Sequence, residues 1–248
     1  MPVTRIYHPE SLRCGETVQL NADASSHLIR VLRTKLNSPV ILFNGDGFEY
    51  HCTTLDDNAK KTLLSINSKI ASGKESNINI TLIQGLSRQH RMEFTIQKSV
   101  ELGVNRIVPV ICERSNTKLT EDQRIKKLTH WRKIAISACE QSGRSIIPDL
   151  TEITVLDNVN QLLNRDALKL VLNPESNLSL KQLSSHQTAV AARYVEMCIG
   201  PEGGLTKDEI AFLENSQFTN ICFGPRILRT ETAGPAVISA LQMLWGDF

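Results

Sequence analysis

The 248 residues are 41% hydrophobic and 22% charged, the balance of a soluble globular protein with ample material for a core. No apolar run approaches the roughly 20 residues of a membrane span, and the opening MPVTRIYHPE lacks the layout of a secretory signal. The net charge of +2 hides an asymmetry: residues 86–144 carry 12 Lys and Arg against 6 Asp and Glu, whereas residues 145–248 carry 7 against 12. Such a division hints at a polyanionic partner met by one face, although basic residues on solvated helices would look the same.

The first third reads as β structure. SPVILFNGDGFEYHCTTL is two strand-prone runs around Asn44-Gly45-Asp46-Gly47, a strong hairpin signal. KTLLSINSKI is a further alternating strand. Ahead of both, SSHLIRVLR predicts a short helix, with Leu28, Val31 and Leu32 on one face and His27, Arg30 and Arg33 on the other. The small, polar run ASGKESN, from Ala71 to Asn77, is the best linker in the chain, so a small β-barrel is expected over residues 1–72 and a second domain over 73–248.

After the linker, strands alternate with helices. INITLIQGL, VNRIVPVIC, LKLVLNPE, RYVEMCIGPE and TNICFGP read as strands, and MEFTIQKSVELG and RIKKLTHWRKIAISACEQSGR as helices. A helix opens at Thr206 and a last one runs from about Thr232 to Trp245, with Pro235 expected in its first turn. This is the pattern of an α/β domain with a mainly parallel sheet. Trp131 and Trp245 are expected to pack or to make dimer contacts rather than stack on bases, and His27 to be structural. The six cysteines (Cys14, Cys52, Cys112, Cys139, Cys198, Cys222) are scattered without a C-x-x-C pair. That spacing argues against zinc or a disulfide framework, and for buried thiols in a reducing cytoplasm.

Two stretches carry the chemistry. In IGPEGGLTKDE, Thr206 and Glu209 form a capping box, which makes Gly200, Pro201, Glu202, Gly203 and Gly204 a true loop between strand and helix. No phosphate-loop pattern is present, and Glu202 would sit badly beside phosphate oxygens. A ligand read by backbone groups suits the loop better, and S-adenosylmethionine is one such ligand; a plain tight turn is the bland alternative. In FGPRILRTETAGP, Arg226 and Arg229 flank Ile227 and Leu228, with Glu231 following. Paired guanidiniums in a constrained loop can clamp phosphate or stabilise a developing anion.

Together these stretches closely resemble the ribosomal RNA small subunit methyltransferase E family, whose members methylate N3 of a uridine in 16S ribosomal RNA. HLIRVLR, the Gly45-Asp46-Gly47 turn, MEFTIQKSVELGVNRIVPV and EQSGRSIIP agree, so the resemblance covers nearly the whole chain. It implies a PUA-like β-barrel followed by a SPOUT α/β domain with a C-terminal trefoil knot, acting as a homodimer. It also implies S-adenosylmethionine as cofactor, no metal, and 16S rRNA in the small subunit as partner. Leu172, Asn173, Gly200, Pro201, Gly203, Gly204, Phe223, Gly224, Ile227, Leu228 and Thr232 are then expected to hold the cofactor. Arg229 would stabilise the base anion, with Glu231 orienting it or taking the proton and Glu202 as the rival base. Arg5, Arg30, Arg33, Arg88, Arg91, Arg114, Arg144 and Arg226 are the candidate RNA contacts, Arg144 also a candidate for the cleft or the dimer. Arg88 and Arg91 stand where such proteins often carry lysines, and Gly234 before Pro235 is a second departure. A non-enzymatic RNA-binding protein and a nucleotide hydrolase are the readings from other classes, and a SPOUT enzyme acting on another RNA is the nearest alternative.

Overall fold

A computed structural model describes residues 3–115, 119–185 and 193–248. The chain divides into two compact units, Met1–Glu75 with Ile136–Ile147, and Ser76–Ala135 with Pro148–Phe248.

The first unit is built on a five-stranded sheet ordered β1-β3-β4-β5-β2, from Thr4–Tyr7 (β1), Thr17–Gln19 (β2), Pro39–Phe43 (β3), Phe48–Thr54 (β4) and Leu63–Ala71 (β5). β1 pairs parallel with β3 and the other pairings are antiparallel. The predicted hairpin forms, with Gly45 at φ +95° and Gly47 at φ +85°. Only glycine adopts such angles without strain. Alternating residues of β4 and β5 turn inward, so Tyr50, Cys52, Leu64 and Ile66 join Ile6, Leu20, Leu28, Val40 and Leu42 in one core. The helix expected over Ser25–Arg33 starts earlier and is mostly not an α-helix: α1, Ala22–Ser26, capped by Asn21, runs directly into a π turn, His27–Val31. The wider π turn breaks the expected stripe: Leu28 is buried, but Val31 and Leu32 are exposed.

Lys74 and Glu75, at the centre of the predicted linker, belong to this unit's packing. Glu75 accepts from the Arg144 guanidinium at 2.7 Å and from the Ser145 and Ile146 amides, and Lys74 pairs with Glu49 at 3.2 Å. Arg5 donates to Glu49 at 2.5 Å, to the Arg144 carbonyl and to Ser145. Residues 136–147 therefore belong with the first unit because these buried bonds hold them there. Burial alone would push the Glu49 carboxyl up, yet hydrogen bonds and charge from Lys74 and Arg5 bring it below its ordinary value. Its contribution to stability is thus present above the usual carboxylate range and lost as pH falls through the depressed folded value. Glu49→Gln should cost about 3 kcal/mol at pH 7, since it strands a buried arginine. The deficit in urea melts should shrink toward pH 3, and one that stays constant would show that charge is not the cause.

The second unit holds a sheet in which every pairing is parallel. Its order is β12-β10-β11-β6-β7-β8, with β9 also on β7. The strands are Asn79–Gly85 (β6), Arg106–Ile111 (β7), Asp149–Leu150 (β8), Thr154–Val155 (β9), Leu168–Leu172 (β10), Tyr194–Ile199 (β11) and Thr219–Ile221 (β12). β6, β7 and β11 are buried almost end to end, as strands covered on both faces must be. The helices are α2 (Gln89–Glu101), α3 (Glu121–Ser142, shared by both units), a 3-10 helix (Leu156–Leu162), α4 (Leu180–Ser184), α5 (Lys207–Asn215) and α6 (Thr230–Trp245).

Two expectations need correction. α6 begins at Thr230, so Pro235 lies in the helix interior and has no N–H to offer the Glu231 carbonyl one turn back. Of the cysteines, Cys52, Cys112, Cys139 and Cys198 are buried, but Cys14 is exposed and Cys222 half-buried. Burial pushes the Cys52, Cys112 and Cys139 thiols up to about 12, which makes them inert packing groups. Trp131 is buried, as its place on the apolar stripe of α3 predicts. No described helix is long and apolar enough to cross a membrane.

Candidate functional site

The carboxyl ends of β6, β10, β11 and β12 lie side by side, and the loops leaving them surround a cleft of about 960 Å³. Open parallel sheets place their ligands at this edge. Its walls include Leu172 and Asn173 after β10, Gly200 to Glu202 and Gly204 after β11, and Phe223 to Arg229 after β12. Eleven of the fourteen residues expected at the cofactor and the chemistry thus line one cleft. Gly203, Glu231 and Thr232 do not. Gly203 packs against Arg114, where an added Cβ would fall 2.9 Å from the arginine's own Cβ. Thr232 is on the exposed side of α6.

The first loop is fastened along its whole length. Its far end is the predicted capping box: Thr206 accepts from the Glu209 amide, and Glu209 accepts from the Thr206 amide at 2.8 Å. The second oxygen of Glu209 takes the Glu113 amide at 2.7 Å, tying this helix start to the segment after β7. At the near end Thr230 donates to the Gly200 carbonyl at 2.7 Å and itself accepts from the buried Gln84 amide at 2.9 Å. Within the loop, the Gly204 amide donates to the Pro201 carbonyl, and Arg114 donates to the Gly203 carbonyl at 3.1 Å.

Gly204 sits at φ +72° with open space where a Cβ would point. Its requirement is conformational rather than steric. Gly204→Val should therefore displace the loop and abolish ligand binding in calorimetry; unchanged affinity would remove the residue from the site.

The second loop is held more loosely. Gly224 takes φ +76°, and Ile227 is 86% exposed at the cleft's rim. Arg229 is the N-cap residue of α6, but its side chain caps nothing. Arg226 and Arg229 are both exposed, and neither guanidinium is ion-paired to a described residue. Two uncommitted cations thus stand at the mouth of the cleft.

Glu231 is paired with Arg91 and not with Arg229, contrary to expectation. Arg91 reaches Glu202 at 3.3 Å and Glu231 at 3.6 Å, so both candidate carboxylates share one arginine. The Arg88 amide also donates to Glu202 at 2.9 Å, while the Arg88 side chain stays exposed.

Several expected RNA contacts are therefore committed elsewhere. Arg91 and Arg114 support the first loop, and Arg5 and Arg144 are buried in the ion pairs of the first unit, their side chains 7% and 4% exposed. Arg30, Arg33, Arg88 and Arg226 keep exposed side chains. Gln84 and Thr230 escaped sequence reasoning; a glutamine inside the apolar run INITLIQGL was the available signal. Among the described residues no cluster of three or more His, Cys, Asp or Glu could hold a metal.

The family model of the RNA methyltransferase domain matches residues 74–242, and that of the RNA methyltransferase PUA domain matches residues 20–66. An RNA methyltransferase with an RNA-binding module is the class that these two domains define. The ribosomal RNA small subunit methyltransferase E of Buchnera aphidicola subsp. Acyrthosiphon pisum is 34% identical over 99% of this chain and 95% of its own length. That of Bacillus subtilis is 30% identical over 93% of each. Among solved structures, the Neisseria gonorrhoeae ribosomal RNA small subunit methyltransferase E bound to S-adenosyl methionine superposes with a TM-score of 0.91 at 36% identity, covering 99% of both chains. A Legionella pneumophila protein in complex with the cofactor SAM superposes with a TM-score of 0.93 at 35% identity over the full length of each. The chain belongs to the ribosomal RNA small subunit methyltransferase E family.

Proposed function

We propose that the chain transfers a methyl group from S-adenosylmethionine to N3 of a uridine in 16S rRNA of the small ribosomal subunit. The observation that carries this reading is the single cleft formed by the two glycine-containing loops, with uncommitted arginines at its mouth. The cleft suits the cofactor. Its volume is that of a small-molecule site, and Leu172, Ile199, Phe223 and Leu228 offer apolar walls. Gly200 and Gly204 keep backbone close to the ligand, and no phosphate cradle is needed. When bound, S-adenosylmethionine supplies an electrophilic methyl group.

The remaining work falls to the chain's own residues. Uridine N3 carries a proton and is a poor nucleophile until it leaves, so the base must be positioned and its anion favoured. Arg229, exposed at the start of α6, is the group for that anion. N3 lies on the pairing edge, so the uridine must be unpaired or flipped when it reacts. Arg30, Arg33, Arg88 and Arg226 remain available for phosphate contacts that position the RNA without reading sequence. In the same reading, residues 1–72 are a PUA-like RNA-binding barrel, residues 73–248 a knotted SPOUT domain, and the enzyme a cytoplasmic homodimer. The PUA match over residues 20–66 and the RNA methyltransferase match over 74–242 support the order of the two domains.

Incubation with tritiated S-adenosylmethionine and unmodified small subunits, beside free 16S RNA, tests the reading. Label in 3-methyluridine supports reaction and target atom together. Transfer to another nucleoside, or none despite cofactor binding, would overturn the assignment of N3.

A further inference from the structure

Two carboxylates compete for the role of proton acceptor, and their surroundings separate them. Glu202 lines the cleft, whereas Glu231 does not. Glu202 Oε1 is occupied by the Arg88 amide and by Arg91, and its Oε2 accepts no hydrogen bond from any described residue. Glu231 lies behind: its Oε1 faces Arg91 Nε, and its Oε2 is buried without a partner. Arg91 stands between the two, its side chain 21% exposed and itself part of the cleft wall.

An arginine between two carboxylates has its orientation fixed by both, because the guanidinium fork presents separate donors to each. Here Nε faces one glutamate and Nη1 the other. The residues come from three separate segments: Arg91 from the first turn of α2, Glu202 from the loop after β11, and Glu231 from the first turn of α6. Leaving a buried carboxylate oxygen unpaired is costly, and functional sites tolerate that cost where the group holds another in place.

We propose that Arg91 is a positioning residue, oriented by Glu231 and in turn fixing Glu202, whose free oxygen takes the proton from the nitrogen to be methylated. This rests on the methyltransferase reading of the cleft. The N–H bond of the target base breaks and the proton passes to Glu202 Oε2. The electron pair left on nitrogen forms the new bond to the methyl carbon as the methyl–sulfur bond breaks, its pair staying on sulfur and the neutral thioether leaving. Glu231 acts only through Arg91 and does not touch the substrate.

The test combines binding, structure and single-turnover kinetics on small subunits at saturating S-adenosylmethionine. Glu202→Gln should slow transfer about 100-fold, the scale of a lost general base. Arg91→Ala should slow it about 30-fold and Glu231→Gln about 10-fold, as misplacement of a catalytic group does. The Arg91→Ala/Glu231→Gln double variant should be no slower than Arg91→Ala alone, because the second residue works through the first. Arg91→Lys should restore part of the rate. For Glu202→Gln and Glu231→Gln the calorimetric affinity for S-adenosylmethionine and the melting temperature should stay near wild type. Arg91→Ala strands both carboxylates and should melt lower, so Arg91→Lys, which keeps the charge, is the stability control for that position. A crystal structure of Glu231→Gln should show Arg91 turned away from Glu202. Multiplicative losses in the double variant, losses confined to KM, or Glu202→Gln at full rate would overturn the proposal. Wild-type protein that binds the cofactor yet methylates no rRNA would instead overturn the function on which it rests.

Discussion

Replacing Arg229 with alanine should slow methyl transfer about 10²- to 10³-fold while leaving affinity for S-adenosylmethionine unchanged, as loss of one donor to a developing anion does elsewhere. The structure makes the experiment clean. The Arg229 side chain caps no helix amide and pairs with no described carboxylate, so its removal strips no support from the fold. Its backbone still anchors the first turn of α6, accepting from the Thr232 and Ala233 amides. Single-turnover rates on small subunits, set beside calorimetry with the cofactor alone, would separate the two effects. Full turnover with intact cofactor binding would mean that another group, with Arg226 next in line, meets the anion.

Gly85→Ala should have the larger effect on the molecule itself. A Cβ at this last residue of β6 would lie 2.5 Å from the Pro201 nitrogen and 2.9 Å from the Gly200 carbonyl carbon. These are backbone atoms, so no side chain can swing aside. The Gly200 carbonyl is already bonded to Thr230, which fixes the wall from behind. Either the strand end or the first loop must shift, at a cost of about 3 kcal/mol by the scale of overpacked interiors. Thermal melts should show the destabilisation, and calorimetry a loss of cofactor affinity greater than stability alone explains. A variant that melts and binds like wild type would mean that the approach of β6 to Pro201 is looser than the structure has it.

Much of this site could be read in the sequence because its signals are local. The capping box at Thr206 and Glu209 fixes a helix start from four residues, and Gly204 announces a positive φ. The arginines' fates were not legible. Whether a guanidinium meets solvent or a buried carboxylate depends on strand order, which periodicity does not encode. β11 lies between β6 and β10, and this places Glu202 against Arg88 and Arg91, more than a hundred positions away in the chain. In the same way, residues 136–147 join the first unit through Glu75, although nothing in their helical pattern distinguishes them from the preceding turns of α3. The helix expected over Ser25–Arg33 failed differently. Its apolar spacing fits an α-helix, but a π turn changes the period just where Val31 and Leu32 would have faced inward.

The unequal fastening of the two loops bears on how affinity is distributed. The loop after β11 is bound at Gly200, Glu202, Gly203, Gly204 and Thr206, so its conformation is already paid for by the fold and little entropy is left to lose. The loop after β12 carries an isoleucine almost wholly in water and two arginines with many rotamers. A ligand that covered this loop would bury that isoleucine but freeze those side chains, two terms of opposite sign and similar size. On the methyltransferase reading, substitutions in the first loop should therefore change which ligand fits, and substitutions at Ile227 how long it stays.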